Sequence, residues 1–403
     1  MDFEFSEEEK LWRKTVREFS EKNITPKIRE IERNRSIPDS LLKKMGELGL
    51  LAPTVSKEYG GVDLSWIMSC IAAEELGRGD ISLSIPVLYL VEAAWGFILN
   101  RYGTPQVKKE YLTRATKGEA FCGIAVTEPT GGSDIVGALQ TKAERRNGEW
   151  ILNGEKMFIS GVAESEKLGG VHLTLARTDP SAGHKGFSMF AIPIKDTDGI
   201  STTLLEDMGR EGISTGGFKM EDVHIPEEYL VGELNKGFYY AMEGFSAART
   251  LIGATCIGAA ENALEIGMDY IKTRKSFGRT IGSFEGIQFP LAEHYTNIES
   301  IKLIVYKAAW MMDKLYQENK FSHHNIALYA AMSKLKAPQY AFNAMNEVAN
   351  WLGAIGYTKE YPIEMGIRGV RSYSIGAEGT LNIMRIIIAR ELLGREYLPY
   401  GVR

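Results

Sequence analysis

Glu378 lies in the run Ser374-Ile375-Gly376-Ala377-Glu378-Gly379-Thr380, a carboxylate among small residues just ahead of an apolar stretch that ends at Arg390. A desolvated general base would sit in such a place. Gly379 admits backbone conformations that residues with side chains resist, and Thr380 is suited to cap the helix that follows. Apolar surroundings raise a carboxyl pKa and make the ionised form a stronger proton acceptor. The plain alternative is an acid that merely precedes a helix. A second chemical candidate is Thr127-Glu128-Pro129-Thr130-Gly131-Gly132-Ser133-Asp134. Its glycines permit close backbone approach to a ligand, while Thr127 and Ser133 offer hydroxyls. Taken alone, this segment also reads as a simple turn.

Other segments carry a recognisable pattern. Ala377-Glu378-Gly379-Thr380, with Arg385 and Ala389-Arg390-Glu391, resembles the C-terminal signature of the acyl-CoA dehydrogenase family, in which the Glu is the catalytic base. Lys57-Glu58-Tyr59-Gly60-Gly61, Glu74-Glu75-Leu76-Gly77-Arg78, Ala125 through Asp134, Asn153 through Ser160, Arg274-Lys275-Ser276-Phe277-Gly278 and Gly353-Ala354-Ile355-Gly356-Tyr357 are similar to the family's other motifs, in order. The resemblance implies bound FAD. In it, Thr127 and the backbone around Ile124 and Val126 face the isoalloxazine, and Ser133 meets the pantetheine or the flavin phosphates. Phe158 takes the place of a family Trp packed on the flavin, Ile159 falls at a cofactor position, and Ser160 replaces a Thr that bonds near N5. Arg274, Ser276 and Phe277 match a motif that reaches the FAD pyrophosphate and adenine of a neighbouring subunit, a role for which the fixed guanidinium fork is suited. Locally, Arg274 and Lys275 also read as a solvated basic helix end. Phe284, Glu285, Asn350, Gly353, Thr380 and Asn382 fall at further cofactor positions. Ser246, Arg249 and Gly379 fall at substrate positions.

Some of these depart from the family's pattern. Ser246 stands where Asp is common, and Glu285, Asn350 and Asn382 stand where Gln is usual. The Arg-x-Ser-Asp-Thr turn after Met208-Gly209 is altered to Glu211-Gly-Ile-Ser-Thr215. Ala248 precedes Arg249, so the base that some relatives carry on that helix is missing, and Glu378 is left for the role.

The chemistry implied by the resemblance is α,β-dehydrogenation of an acyl-CoA to a trans-2-enoyl-CoA. Glu378 takes the α-proton, the carbonyl is held by the Glu378 backbone N–H and a ribityl hydroxyl, and the β-hydride goes to flavin N5. Electrons then pass to an electron-transfer flavoprotein, and the family's usual assembly is a homotetramer. An oxidase, an acyl-carrier-protein-linked dehydrogenase and a non-catalytic acyl-CoA-binding protein are alternatives on the same scaffold.

Three regions must position these residues. Helical patterns, opened by Ser6 as an N-cap, occupy 1–118; β-rich runs occupy 119–233; and long helices at 236–273, 285–318 and 323–352 fall within 234–403. Arg146-Asn147-Gly148 signals a hairpin, since Asn-Gly supplies the positive φ angles of a type I′ turn. The fold class expected is mainly α with a central β domain: a helical N-terminal domain, a β-barrel middle and a C-terminal four-helix bundle. Glu92, inside the apolar run from Leu83 to Trp95, reads as a solvated helix face, with a polar pocket residue as the alternative. The formal net charge of −5 gives no support to nucleic-acid binding. Cys70, Cys122 and Cys256 match no metal spacing and suit buried thiols, and no metal site is assigned. The acidic N-terminus is unlike a signal peptide, and no apolar run reaches spanning length, so a soluble cytoplasmic protein is expected.

Overall fold

The computed structural model describes residues 4–398. Five principal helices come first: α1 (Glu7–Asn23), α2 (Ile28–Asn34), α3 (Asp39–Glu47), α4 (Trp66–Gly79) and α5 (Ser84–Tyr102). Ser6 starts α1 as read: its hydroxyl accepts from the Glu9 amide, and the Glu9 carboxylate accepts from the Ser6 amide. The reciprocal cap satisfies two donors that a helix start otherwise orphans.

Helix α5 is apolar on all sides and buried almost throughout, as a helix enclosed by its own domain must be. Glu92 is only 2% exposed, which corrects the solvated-face reading, because α5 has no wet face to offer. One carboxyl oxygen accepts from the Ala52 amide, Oε2 finds no partner among the described residues, and burial raises the pKa well above the ordinary carboxylate range. A carboxyl raised on folding contributes stability at low pH that is lost as pH rises. Glu92→Gln should therefore raise the melting temperature by about 2–4 °C at pH ~8 and leave it unchanged near pH ~4. Equal shifts at both pH values in a thermal scan would exclude a buried neutral carboxyl.

Eight strands follow: β1 (Phe121–Ala125), β2 (Lys142–Arg146), β3 (Glu149–Ser160), β4 (Gly170–Arg177), β5 (Phe187–Pro193), β6 (Ile200–Leu205), β7 (Thr215–Pro226) and β8 (Leu230–Val231). The Asn147-Gly148 turn joins β2 to β3 with φ values of 52° and 84°. The sheet order is β6-β7-β3-β2-β4-β5-β8, with β1 paired in parallel to the first half of β4. The expected β-barrel is not closed. β6 and β8 end the path unpaired with each other, and β2 meets β4 only at Lys142 and Arg177. Closure needs a continuous staggered ladder, and the two residues of β8 are too few to carry one back to β6.

The chain then returns to helix: α6 (Gly237–Thr273), a small hairpin of β9 (Lys275–Ser276) and β10 (Arg279–Thr280), α7 (Glu285–Glu318), α8 (His323–Leu352), α9 (Ile363–Ile375) and α10 (Leu381–Leu393). The three long helices begin and end within a residue of the positions read from periodicity. Helix α8 is the hub of the bundle, packed on α6, α7, α9 and α10. It approaches α6 closely at Gly253, where a Cβ would lie 1.9 Å from the Ser333 hydroxyl oxygen. The helical regions are tied by ions as well as by apolar contact. Buried Glu74 on α4 accepts from Arg13 on α1 at 2.7 Å and from Lys302 and Tyr306 on α7 at 2.8 and 2.7 Å. Burial alone would raise the Glu74 carboxyl, but Lys302 and Arg13 outweigh it and hold the pKa below the ordinary value. All three cysteines are buried free thiols, and no described helix is long and apolar enough to cross a membrane.

Candidate active site

Helix α9 ends at Ile375, and the chain turns through Gly376-Ala377-Glu378-Gly379 before Thr380 caps α10 by accepting from the Ile383 amide at 3.3 Å. The turn is left-handed at both central residues, with φ of 58° at Glu378 and 100° at Gly379. A residue with a Cβ is uncommon there and persists only where the surroundings hold it. Two buried cations do so. Arg249 Nε on α6 donates to the Glu378 carbonyl at 2.8 Å, and Lys334 Nζ on α8 donates to the Gly379 carbonyl. Arg249 is 4% exposed and Lys334 is fully buried.

Glu378 is half-buried, with part of the residue still meeting solvent. Burial raises its carboxyl, Arg249 and Lys334 pull the other way, and the net pKa is pushed up to about 7. Burial also lowers Lys334 to about 7, assisted by Arg249 and opposed by Glu378. Arg249 is lowered by burial to about 10. A carboxyl near neutrality on a fixed turn can serve as a proton acceptor at neutral pH. Ser246, one turn before Arg249 on α6, donates to its own helix at the Met242 carbonyl, 3.0 Å away.

The two central β motifs come together. The Met157 amide donates to the Thr127 carbonyl at 3.0 Å, which sets the segment after β1 against the end of β3. The β3–β7 register shifts between Met157 and Ile159, and Phe158 stands out at this bulge with φ of 61° and 65% exposure. A bulge re-aims a side chain out of the pleat, and an aromatic left uncovered there suits a planar ring system. Thr127, Ile124 and Ser160 are half-buried, Val126 and Ile159 are buried, and Ser133 is exposed. This set of hydroxyls, backbone groups and one bare aromatic fits an isoalloxazine. Behind it, fully buried Lys156 donates to Glu128 at 2.8 Å and to the Val126 and Leu175 carbonyls at 3.2 and 2.8 Å. Glu128 in turn accepts from the Gln140 and Thr141 amides.

One loop joins this corner to the Glu378 turn. Arg210, at φ 52°, donates to Ser160 Oγ at 3.5 Å and to Thr215 Oγ1 at 2.9 Å. From α9, Arg368 donates to the Met208 carbonyl at 2.8 Å, and Tyr373 on the same helix is buried, its hydroxyl pKa raised by burial.

The remaining cofactor candidates lie apart from this centre. Arg274 caps the end of α6, and Ser276 and Phe277 belong to the β9–β10 hairpin that follows; all three are exposed, Phe277 at 95%. Phe284 sits over the Arg279 guanidinium at 4.0 Å, and Glu285, Asn350, Gly353 and Asn382 are exposed. Sequence reasoning missed Lys334, Arg210 and Tyr373. Lys334 was discoverable in principle, since it falls on the apolar face formed by Ala330, Ala331, Ala337 and Ala341, a poor place for an unpaired ammonium.

Models of three domains match the chain: acyl-CoA dehydrogenase, N-terminal domain, over residues 6–119; middle domain over 123–223; and C-terminal domain over 235–393. The chain is 34% identical to the probable acyl-CoA dehydrogenase YngJ of Bacillus subtilis (strain 168) over 98% of its own length and 100% of that protein. Among solved structures it is similar to a glutaryl-coenzyme A dehydrogenase in complex with glutaryl-CoA, with TM-score 0.90, 31% identity and full coverage of both chains. A chain in the structure of the electron transferring flavoprotein of Acidaminococcus fermentans gives TM-score 0.89 and 31% identity, covering 98% of this chain and 100% of that one.

Proposed function

Because the chain belongs to the acyl-CoA dehydrogenase family, we propose that it uses FAD to dehydrogenate an acyl-CoA thioester to the trans-2-enoyl-CoA, with Glu378 as the base. The observation that carries this reading is the Glu378 turn, a carboxyl pushed up to about 7 and held from behind by Arg249 and Lys334. Bound FAD supplies an acceptor for the β-hydride. Thr127, Phe158 and Ser160 would hold its ring system, with the backbone of Ile124, Val126 and Ile159 alongside. Arg274, Ser276, Phe277, Phe284, Glu285, Asn350, Gly353, Thr380 and Asn382 would meet the rest of the cofactor.

Glu378 removes the α-proton as a carboxylate, so it must be ionised when substrate arrives. At about 7 its basicity exceeds that of a solvated glutamate while a useful fraction stays ionised at neutral pH. The left-handed turn keeps the carboxyl from relaxing back into the helix. Ser133, Ser246, Arg249 and Gly379 border the acyl-CoA in this reading. The exposed placement of the Arg274 segment supports a cofactor shared between copies and so at least a dimer; the family's usual homotetramer is the assembly proposed. The likeness to a chain in an electron transferring flavoprotein structure supports such a protein as electron acceptor, and the absence of a spanning helix among the described residues is compatible with a cytoplasmic location.

The test is anaerobic titration of the purified protein with butyryl-, isovaleryl-, glutaryl- and octanoyl-CoA. The protein should take up FAD, and at least one thioester should bleach the long-wavelength flavin band. Bleaching by carrier-protein thioesters alone would replace the substrate class, and rapid reoxidation by oxygen would make the protein an oxidase. Failure to take up FAD would overturn the reading.

A further inference from the structure

We propose that Lys334 is a positioning residue that holds the Glu378 turn in its reactive shape and supplies positive charge favouring the Glu378 carboxylate. This deepens the reading of Glu378 as the base and rests on it. The geometry is specific. Arg249 and Lys334 come from different helices, α6 and α8, and grip the carbonyls of successive residues, Glu378 and Gly379. Together they fix two consecutive peptide planes, which is what a left-handed turn at a non-glycine residue requires.

The location of Lys334 fits no simpler role. It is fully buried, and its one hydrogen bond among the described residues runs to the Gly379 carbonyl. It forms no close ion pair there, unlike Lys156 with Glu128 or Lys302 with Glu74. A buried ammonium without a close carboxylate partner is costly. Replacing it with an apolar side chain would be favourable for packing alone, so a contribution to the turn and its charge is the better account.

The charged and titratable groups around Glu378 are few. Arg249 on α6 and Lys334 on α8 act on it directly, and Tyr373 on α9 lies within electrostatic reach of it. Arg390 on α10 acts on Arg249 while paired with Glu391, and Cys256 on α6 acts on Lys334. With Arg249 held in place, Lys334 is the cation whose removal changes the field at the carboxyl. An opposite charge nearby lowers a carboxyl pKa, so its loss raises that of Glu378.

The experiment compares wild-type holoenzyme with Lys334→Met, which removes donor and charge, and Lys334→Gln, which keeps a donor and removes the charge. FAD content is measured first. The Glu378 titration is then followed in two ways: by the pH dependence of anaerobic bleaching with whichever thioester of the panel acts fastest, and without turnover by the infrared carboxyl band that Glu378→Gln abolishes. Both variants should keep their flavin, and in both the midpoint should move up, by less than about one pH unit because Lys334 is itself only partly charged near pH ~7. Bleaching at high pH should fall roughly tenfold in the Met variant, in line with a misplaced base, and less in the Gln variant. An unmoved midpoint in both variants overturns the proposal, as does failure of both to fold, which would assign Lys334 to the fold alone. If Lys334→Met alone fails to fold, Lys334→Gln carries the test. Undiminished bleaching in Glu378→Gln would instead reject the base assignment, so the two failures are separable.

Discussion

Glu378→Gln leaves a protein that still binds FAD and acyl-CoA but bleaches its flavin ~10²–10⁴-fold more slowly than wild type, the usual contribution of a positioned general base. The substitution keeps size and polarity and removes only the ability to accept a proton as a carboxylate does. Stopped-flow mixing with the best thioester of the panel measures it directly. The wild-type rate should also climb with pH through about 7, the value to which Glu378 is pushed, because below it the base is protonated. The variant should show no such limb. Wild-type bleaching rates in Glu378→Gln would remove Glu378 from the chemistry. Glu243 would be a poor replacement, since its two oxygens accept from the Tyr102 and Tyr316 hydroxyls at 2.7 and 2.9 Å, which ties it into the packing of α5, α6 and α7.

Lys156→Met should cost about 3–5 kcal/mol of stability, because it strands the buried Glu128 carboxylate. In a chain of this size that appears as a melting temperature lower by roughly 4–6 °C. The damage should extend to the cofactor. Lys156 also holds the Val126 carbonyl, one residue before Thr127, and Glu128 holds the Gln140 and Thr141 amides. Flavin retention after gel filtration should therefore fall along with melting temperature. The double variant Lys156→Met with Glu128→Gln should recover part of the stability, since no charge is then left unpaired. Single and double variants that melt together would show that the pair is not coupled.

The order of helix, sheet and helix was legible because periodicity survives tertiary packing. Residues 236–273, 285–318 and 323–352 carry a helical repeat long enough to define their own ends, and Asn147-Gly148 has the backbone freedom its hairpin needs. The strands β6 and β7 were not legible. Thr215-Gly216-Gly217 and Glu221-Asp222 dilute the β signal of β7, and pairing on both sides, with β3 and β6, compensates for it. Closure of the sheet was expected and is not found, because whether edges meet depends on stagger and strand length rather than on residue type. Glu92 misled for a related reason: a single acid in an apolar run suggests a wet face only when one exists. At the site, the motifs around Thr127 and Phe158 were legible as local patterns, and the fold sets them against each other. Other links could not be read. Arg210 to Ser160, and Lys334 to Gly379, join residues 50 and 45 positions apart in sequence, and no local pattern encodes such a distance.

The Glu74 cluster has a consequence for how the chain is made. Its anion is supplied by α4, but two of the groups that satisfy it, Lys302 and Tyr306, are more than two hundred residues later in the chain. While synthesis proceeds from the N-terminus, Glu74 has only Arg13 as a partner, and α1 and α4 cannot bury it without leaving part of its charge uncompensated. The opening helices are thus kept provisional until α7 has emerged. The N-terminal and C-terminal helical regions, separate along the chain, are thereby coupled through one buried charge that neither satisfies alone.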